Sequence, residues 1–417
     1  MDIYLGFRCS LCKIEYNFEE IQYTCPKDGG NLDVVYDFHR LKIKVQPQEI
    51  LSSIEHSLWR YLPLLPVKDP GFLETPLRSA GYTPVYSFKT MAKQIGIDNL
   101  WIKDDSRNPT ASFKDRASAI VVAKARERHS EIIVTASTGN AGAALAGMSA
   151  AVGQKAIIFA PKTAPTAKVA QLLVYGAKVF LVDGTYDDAF ELSINAANEF
   201  GWYCRNTGYN PFTLEGKKTA AFEIWEFFKN FKTDSGIKSP LKIFVSVGDG
   251  NIISGLHKGF KDLYELGWLE ELPSLYGVQA EGSASISNAW FSRTEIIQPV
   301  SAKTIADSIS VDLPRDGVRA IRAMRETGGR PVLVSDDEII RAISELGKYG
   351  IFTEPAGAAS YAGIIKAITH GWITKDDNVM IVVTGSGLKD VRAAMQSVSE
   401  APIIEPTLAA VKKMMVK

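Results

Sequence analysis

Lys114 is the residue whose setting points most directly to chemistry. It lies in Asn108-Pro-Thr-Ala-Ser-Phe-Lys114-Asp-Arg116, where a small, polar loop gives way to an apolar helical run through Ala117, Ile120, Val121, Val122 and Ala125. A helix start carries partial positive charge, so it is a poor place for a structural ammonium. The same field lowers the amine's pKa and sharpens it as a nucleophile toward an aldehyde, which is Schiff-base chemistry. Three further loops share this small, polar character: Ser137-Thr138-Gly139-Asn140, Gly248-Asp249-Gly250-Asn251 with Ile252, and Thr384-Gly-Ser-Gly-Leu-Lys-Asp390. In the Gly248 loop, backbone N–H groups and the positive end of the helix that follows make a phosphate cradle without any lysine. A nicotinamide site is disfavoured there, because the next glycine is Gly255 and no acidic residue stands out at the ribose position.

A separate cluster stands near the amino end, where Cys9-Ser-Leu-Cys12 and Cys25-Pro-Lys-Asp28 form two short knuckles. Tetrahedral zinc takes two such knuckles at C-x-x-C spacing, since each tight turn delivers two sulfurs to one ion. Asp28 stands where a fourth cysteine would be. Three cysteines and an aspartate are an uncommon structural set, so zinc is not favoured over a ribbon held by packing.

These loops need a frame. Short apolar or β-branched runs alternate with helical stretches: Leu100–Lys103, Glu131–Thr135, Ala156–Ala160, Lys178–Val182, Lys242–Val247, Leu275–Ala280 and Val379–Thr384. Continuous apolar strands separated by helices predict parallel sheets covered on both faces, an α/β class. Ligands in such sheets sit beyond the carboxyl ends of the strands, where the four polar loops fall. An amphipathic helix is expected over Pro47–Leu62.

The string Asn108 to Arg116 resembles the cofactor-lysine motif of fold-type II pyridoxal-phosphate enzymes, and within them the threonine synthase family. Ser137-Thr-Gly-Asn140 looks like the family's asparagine loop and Gly248 to Asn251 like its phosphate loop. Asn210-Pro-Phe-Thr-Leu-Glu-Gly216-Lys-Lys-Thr and Thr384 to Asp390 resemble further segments, in the same order, over roughly residues 75 to 395. The resemblance implies two parallel-sheet domains with a small amino-terminal β-ribbon: 1–40 the ribbon, 41–118 with 210–400 the large cofactor domain, 119–209 a small domain carrying the asparagine loop, and 401–417 a terminal helix. It implies that Lys114 binds pyridoxal phosphate and shuttles protons, that the Asn140 amide donates to the ring's phenolic oxygen, and that Thr384 places a hydroxyl near the pyridine nitrogen. Gly248, Asp249, Gly250, Asn251 and Ile252 would cradle the cofactor phosphate. Ser137, Thr138, Arg116 and Lys217 are the expected substrate contacts; Lys162 and Arg205 are weaker candidates.

The implied reaction turns O-phospho-L-homoserine and water into L-threonine and phosphate. The runner-up keeps the cofactor and changes the substrate, as a threonine or serine dehydratase or an O-phosphoserine-dependent cysteate or cysteine synthase. Three departures from the family pattern bear on this. Ala111 stands where glycine is common, Ala141 where many members carry a substrate-binding threonine, and Asp249 puts a carboxylate in the phosphate loop, which requires its side chain to point away.

Composition narrows the partners. Lys plus Arg and Asp plus Glu each total 47, so no net field attracts nucleic acid or an acidic membrane. No run approaches about 18 apolar residues, and Met1 to Arg8 lack a secretory pattern. Four cysteines in 417 residues argue against a disulfide framework. A cytoplasmic enzyme acting on a small phosphorylated amino acid is expected, as a homodimer on the resemblance. The five histidines show no metal spacing, and Cys204 reads as core.

Overall fold

The computed structural model describes residues 3–164, 166–230 and 240–415. At the amino end, β1 (Tyr4–Cys9), β2 (Glu15–Tyr16) and β3 (Leu32–Tyr36) form an antiparallel ribbon in the order β2-β1-β3. Leu32, Val34 and Tyr36 alternate inward along β3, as one buried face requires. Polar ties fix the ribbon to the body: Tyr36 donates to Glu215 (2.6 Å), Arg319 grips Asp33 (2.6 Å), and the Asn31 amide reaches the Arg315 carbonyl (3.0 Å).

The helix expected over Pro47–Leu62 is broken into a helix Pro47–Leu51 and a 3₁₀ helix Leu58–Leu64. The cause is local. The Ser57 hydroxyl accepts from Trp59 N–H (3.2 Å) and starts a new turn, while the Arg60 guanidinium donates to the carbonyls of Ile50 and Glu55, taking acceptors that a continuous helix would have used.

The remaining strands build two sheets. After β4 (Val85–Ser87) and β5 (Asn99–Asp104) come β6 (Ile132–Ala136), β7 (Lys155–Pro161), β8 (Lys178–Val182) and β9 (Tyr203–Cys204). Then follow β10 (Leu241–Ser246), β11 (Ser274–Ala280), β12 (Pro331–Val334) and β13 (Asn378–Val383). The larger sheet runs β12-β11-β10-β13-β5-β4, parallel except for the short edge strand β4; the smaller runs β8-β7-β6-β9, all parallel. Every run read as a strand from its apolar pattern is one, to within a residue at either end.

This topology positions the polar loops. β5, β13 and β10 are neighbours, so the loops carrying Lys114, Thr384 and Gly248 leave the carboxyl edge of one sheet side by side, while β6 of the other sheet delivers Ser137 to Asn140. Among the described residues no helix is long and apolar enough to cross a membrane. The terminal helix Leu408–Met415 buries none of its residues; Val416 and Lys417 lie outside the described residues.

Candidate active site

The Lys114 loop is zipped to the Thr384 loop by backbone bonds. Phe113 N–H donates to the Thr384 carbonyl (2.9 Å), Ser386 N–H to the Ala111 carbonyl (3.0 Å), and Ser112 bridges Gly385. Lys114 then opens the helix Lys114–Glu127 and faces a cavity of about 490 Å³ between the two sheets, shared with Thr384 and Asn140. Its amine has no hydrogen-bond or ion-pair partner among the described residues. Burial pushes its pKa below the ordinary lysine value, with Glu354 and Asp249 pulling back and Arg205 adding to the depression. Desolvation thus favours the neutral, nucleophilic amine, in the same direction as the helix field read from the sequence.

Ala111 turns the corner before Lys114 with φ of 62°, the left-handed region where a β-carbon is strained. Replacing it by glycine removes a strain of about 1–2 kcal/mol and returns part of that as unfolded-chain entropy. Ala111→Gly is expected to raise unfolding stability by roughly 0.5–1 kcal/mol in urea titrations; no gain would show that the corner is unstrained.

Gly248 to Ile252 also line the cavity. Gly250 has φ of 89°, and a β-carbon on it would lie 2.8 Å from the Asp316 carbonyl oxygen, so only glycine makes this turn. The helix Asn251–Glu265 starts without a side-chain cap, leaving its first N–H groups for a guest, and the buried Ser246 hydroxyl beside it has no partner. Such a donor set suits a phosphate. The Asp249 carboxylate accepts from Arg315 N–H (3.2 Å), which turns it toward the Arg315 loop as the phosphate reading requires.

Ser137, Thr138 and Ala141 line the same cavity. The Asn140 amide donates to both carboxylate oxygens of Glu354, at 2.8 and 3.0 Å. Glu354 escaped sequence reasoning. It precedes Pro355 at the start of the helix Pro355–Thr369 and looks there like an ordinary boundary residue, yet its carboxylate crosses the cavity instead of capping. Gly385 leaves room for it, since a β-carbon there would meet Glu354 Oε1 at 2.4 Å. Burial raises the Glu354 pKa, opposed by the Asn140 bond and by Lys114.

Arg116 is not a cavity residue, which corrects its reading as a substrate contact. Its side chain is wholly buried, with Nε on Asp105 (2.6 Å) and Nη2 on Glu223 (2.7 Å), and Lys103 holds the same Glu223 (2.6 Å). Lys217 does line the cavity. Lys162 is exposed and paired with Asp183.

In the ribbon, one ligand-type atom from each of Cys9, Cys12, Cys25 and Asp28 lies within 4.8 Å of the others. Cys12 Sγ is 3.7 Å from Cys25 Sγ, and Cys9 Sγ is 3.3 Å from Asp28 Oδ1. The spacing would suit one cation; the fourth atom comes from an exposed turn, where it also accepts from Gly30 N–H (2.9 Å), and three sulfurs with one carboxylate are an uncommon structural zinc set. Zinc is not favoured there.

Residues 77–385 match the family described as pyridoxal-phosphate dependent enzyme. The chain is 40% identical over 399 residues to a threonine synthase of Methanocaldococcus jannaschii, covering 95% of each, and 36% identical to one of Methanosarcina acetivorans, covering 97% of each. Among solved structures, the processed form of threonine deaminase isoform 2 from Solanum lycopersicum superposes with a TM-score of 0.65 at 22% identity, covering 80% of this chain and 92% of that one, a likeness of fold. With Lys114, the glycine turn and Thr384 gathered on one cavity, the chain belongs to the pyridoxal-phosphate dependent enzyme family and, within it, to the threonine synthases.

Proposed function

We propose that the chain converts O-phospho-L-homoserine and water to L-threonine and phosphate, using Lys114 as the proton carrier. The observation that carries this is the unpaired, desolvated Lys114 amine beside a glycine turn, in a chain 40% identical along 95% of its length to a threonine synthase. Bound there, pyridoxal phosphate supplies the electron sink that acidifies the amino acid's α and then β carbon. Lys114 takes those protons and returns one at the γ carbon once phosphate has left and the other at the α carbon as water adds its hydroxyl at the β carbon, the remaining proton of the water leaving with phosphate. Gly248 to Ile252 hold the cofactor phosphate through backbone amides, and the Asn140 amide, steadied by Glu354, orients the ring side of the site. Thr384 offers a hydroxyl, which unlike a carboxylate does not hold a proton on a pyridine nitrogen and so favours elimination and replacement. Ser137 and Thr138 contribute hydroxyl groups for the amino acid's carboxylate.

The proposal includes the division into the ribbon (1–40), the large domain (41–118 with 210–400), the small domain (119–209) and the terminal helix (401–417), and a homodimer in the cytoplasm. Free cysteines fit a reducing compartment; the dimer rests on family resemblance. A substrate panel scored for phosphate and ammonia together tests the reaction. Phosphate and threonine should appear one for one from phosphohomoserine. Ammonia with a 2-oxo acid from threonine or serine, or consumption of sulfite or sulfide with phosphoserine, and no phosphate from phosphohomoserine, would replace it.

A further inference from the structure

The amino-terminal ribbon is remote in sequence from the cavity, yet two chains of contacts run from it to the glycine turn. On the first, Arg319 Nη1 donates to the Asp33 carboxylate of β3 (2.6 Å) and to the Leu32 carbonyl (3.3 Å). Arg319 Nε holds Asp316, whose other carboxylate oxygen accepts from the Asn251 amide (2.6 Å). Asn251 is the first residue of the helix that follows the turn. On the second, the Asn31 amide donates to the Arg315 carbonyl (3.0 Å), and Arg315 N–H donates to the Asp249 carboxylate (3.2 Å). Asp316 N–H also donates to the Asp249 carbonyl (2.9 Å), so Arg315 and Asp316 form a splint between ribbon and turn.

Asp316 is the centre of the splint. It precedes the helix Gly317–Glu326, a position where an aspartate ordinarily caps the first N–H groups, yet its side chain makes no cap. Both oxygens are turned sideways, one to Asn251 and one to Arg319, although the residue is only 1% exposed. Burying a carboxylate is costly unless it is paired and hydrogen-bonded, so Arg319 is what keeps Asp316 aimed at Asn251. Arg319 in turn carries a second carboxylate, Asp33, which the ribbon supplies. Packing adds to the polar ties, since a β-carbon on Gly250 would lie 2.9 Å from Cβ of Ala320, the neighbour of Arg319. The ribbon is itself anchored at separate points: the Tyr23 hydroxyl accepts from Cys204 N–H (2.8 Å), the Tyr23 ring stacks on Tyr209 at 4.6 Å, and Tyr36 holds Glu215.

We propose that the ribbon is a brace for the cofactor-phosphate turn, with Asp33 and Asn31 as positioning residues that act through Arg319, Asp316 and Arg315. The backbone N–H groups of Gly248 to Ile252 hold an anion only when they point at one centre. Gly248 and Gly250 give the loop freedom that it must lose on binding. The splint supplies from outside the order that the glycines leave open, so less of it has to be imposed by the arriving phosphate. No described residue of the ribbon lines the cavity, and its effect falls on the grip of the phosphate, not on the chemistry at Lys114. The inference rests on the reading of the glycine turn as the cofactor-phosphate site, and on nothing about the substrate.

The full chain, freed of cofactor and carrying Asp33→Asn, Asn31→Ala or Arg319→Lys, tests it, with pyridoxal phosphate and pyridoxal as paired probes followed by visible absorbance. Both offer the same aldehyde to Lys114, and only one carries a phosphate. Each variant should weaken pyridoxal phosphate by roughly 2- to 30-fold, the size of coupling carried by such networks, and leave pyridoxal within about twofold of the parent. Asp33→Glu, which keeps the carboxylate, should recover most of the loss. Asp33→Asn and Arg319→Lys break one path and should cost little more together than apart, whereas Asp33→Asn and Asn31→Ala break two and should add. Tyr36→Phe, which loosens the ribbon at Glu215 instead, should lower unfolding stability and leave the ratio of the two affinities unchanged. Should Arg319→Lys fail to fold, the two ribbon variants carry the test, because they leave Arg319 on Asp316. Equal weakening of both probes, or of neither, overturns the brace and leaves these ties with stability alone. A parent that takes up pyridoxal as tightly as pyridoxal phosphate would instead remove the phosphate reading of the turn, and the brace with it.

Discussion

Replacing Lys114 by alanine is expected to cut threonine and phosphate formation by at least about 10²- to 10⁴-fold, the range that a positioned proton carrier contributes. The loss should be larger than for any other single cavity residue, because the same nitrogen both anchors the cofactor and moves every proton of the proposed reaction. A spectroscopic readout separates this from misfolding. Borohydride should fix the cofactor to the parent protein and not to Lys114→Ala, while the variant still takes up cofactor reversibly through the glycine turn. The pH dependence has a definite sign. Burial favours the uncharged amine, so cofactor capture by apoprotein should rise with pH and level off below 10.5, the ordinary lysine value. A plateau only near that value would mean that the amine is hydrated, and retained turnover in Lys114→Ala would end the proposed mechanism.

How much of this was legible beforehand depends on whether a feature is local. The parallel strands show themselves because each is a short apolar run of its own, and the loops follow because ligands collect at strand ends. The Lys114 loop could be read for chemistry because an amine at a helix start is electrostatically out of place. Glu354 could not, since its partner Asn140 lies 214 positions away and a glutamate before proline looks like any helix boundary. β4, β9 and β12 went unread for a different reason: at two to four residues they carry too few alternations to register a period. The broken helix after Pro47 turned on where the Arg60 guanidinium lands, which is again a tertiary fact.

Arg116 was misread although a local rule was at hand. It follows Lys114 by two positions in the helix Lys114–Glu127, which places it about 200° around the axis, on the face away from the cavity. Proximity in a motif is not proximity in space. Asp115, one position and about 100° on, turns back to accept from Thr110 N–H (2.6 Å), and burial pushes its carboxyl up to about 6. The motif thus encodes one chemical residue and two that hold its loop and helix in place.

The structural role predicts a result unlike that of a substrate contact. Arg116, Lys103, Asp105 and Glu223 form a buried set whose charges cancel, with the Thr83 hydroxyl donating to Asp105 (2.6 Å). Arg116→Met removes one cation and leaves two buried carboxylates facing one lysine, so stability should fall by about 3–5 kcal/mol, as for other broken buried pairs. The sign of its pH dependence follows from Glu223. Burial alone would raise that carboxyl's pKa, but Arg116 and Lys103 overcome it and hold the pKa below the usual carboxylate range. The parent therefore has this stabilisation above the unfolded carboxyl pKa and loses it as pH falls through the depressed folded value. In Arg116→Met the depression is relieved, so the deficit against the parent should be greatest at neutral pH and shrink in acid. Urea unfolding across that range measures it. The fraction that folds should keep the parent's KM within a few-fold, whereas a direct substrate contact would raise KM and leave unfolding unchanged, so the two readings of this one arginine predict opposite pairs of results.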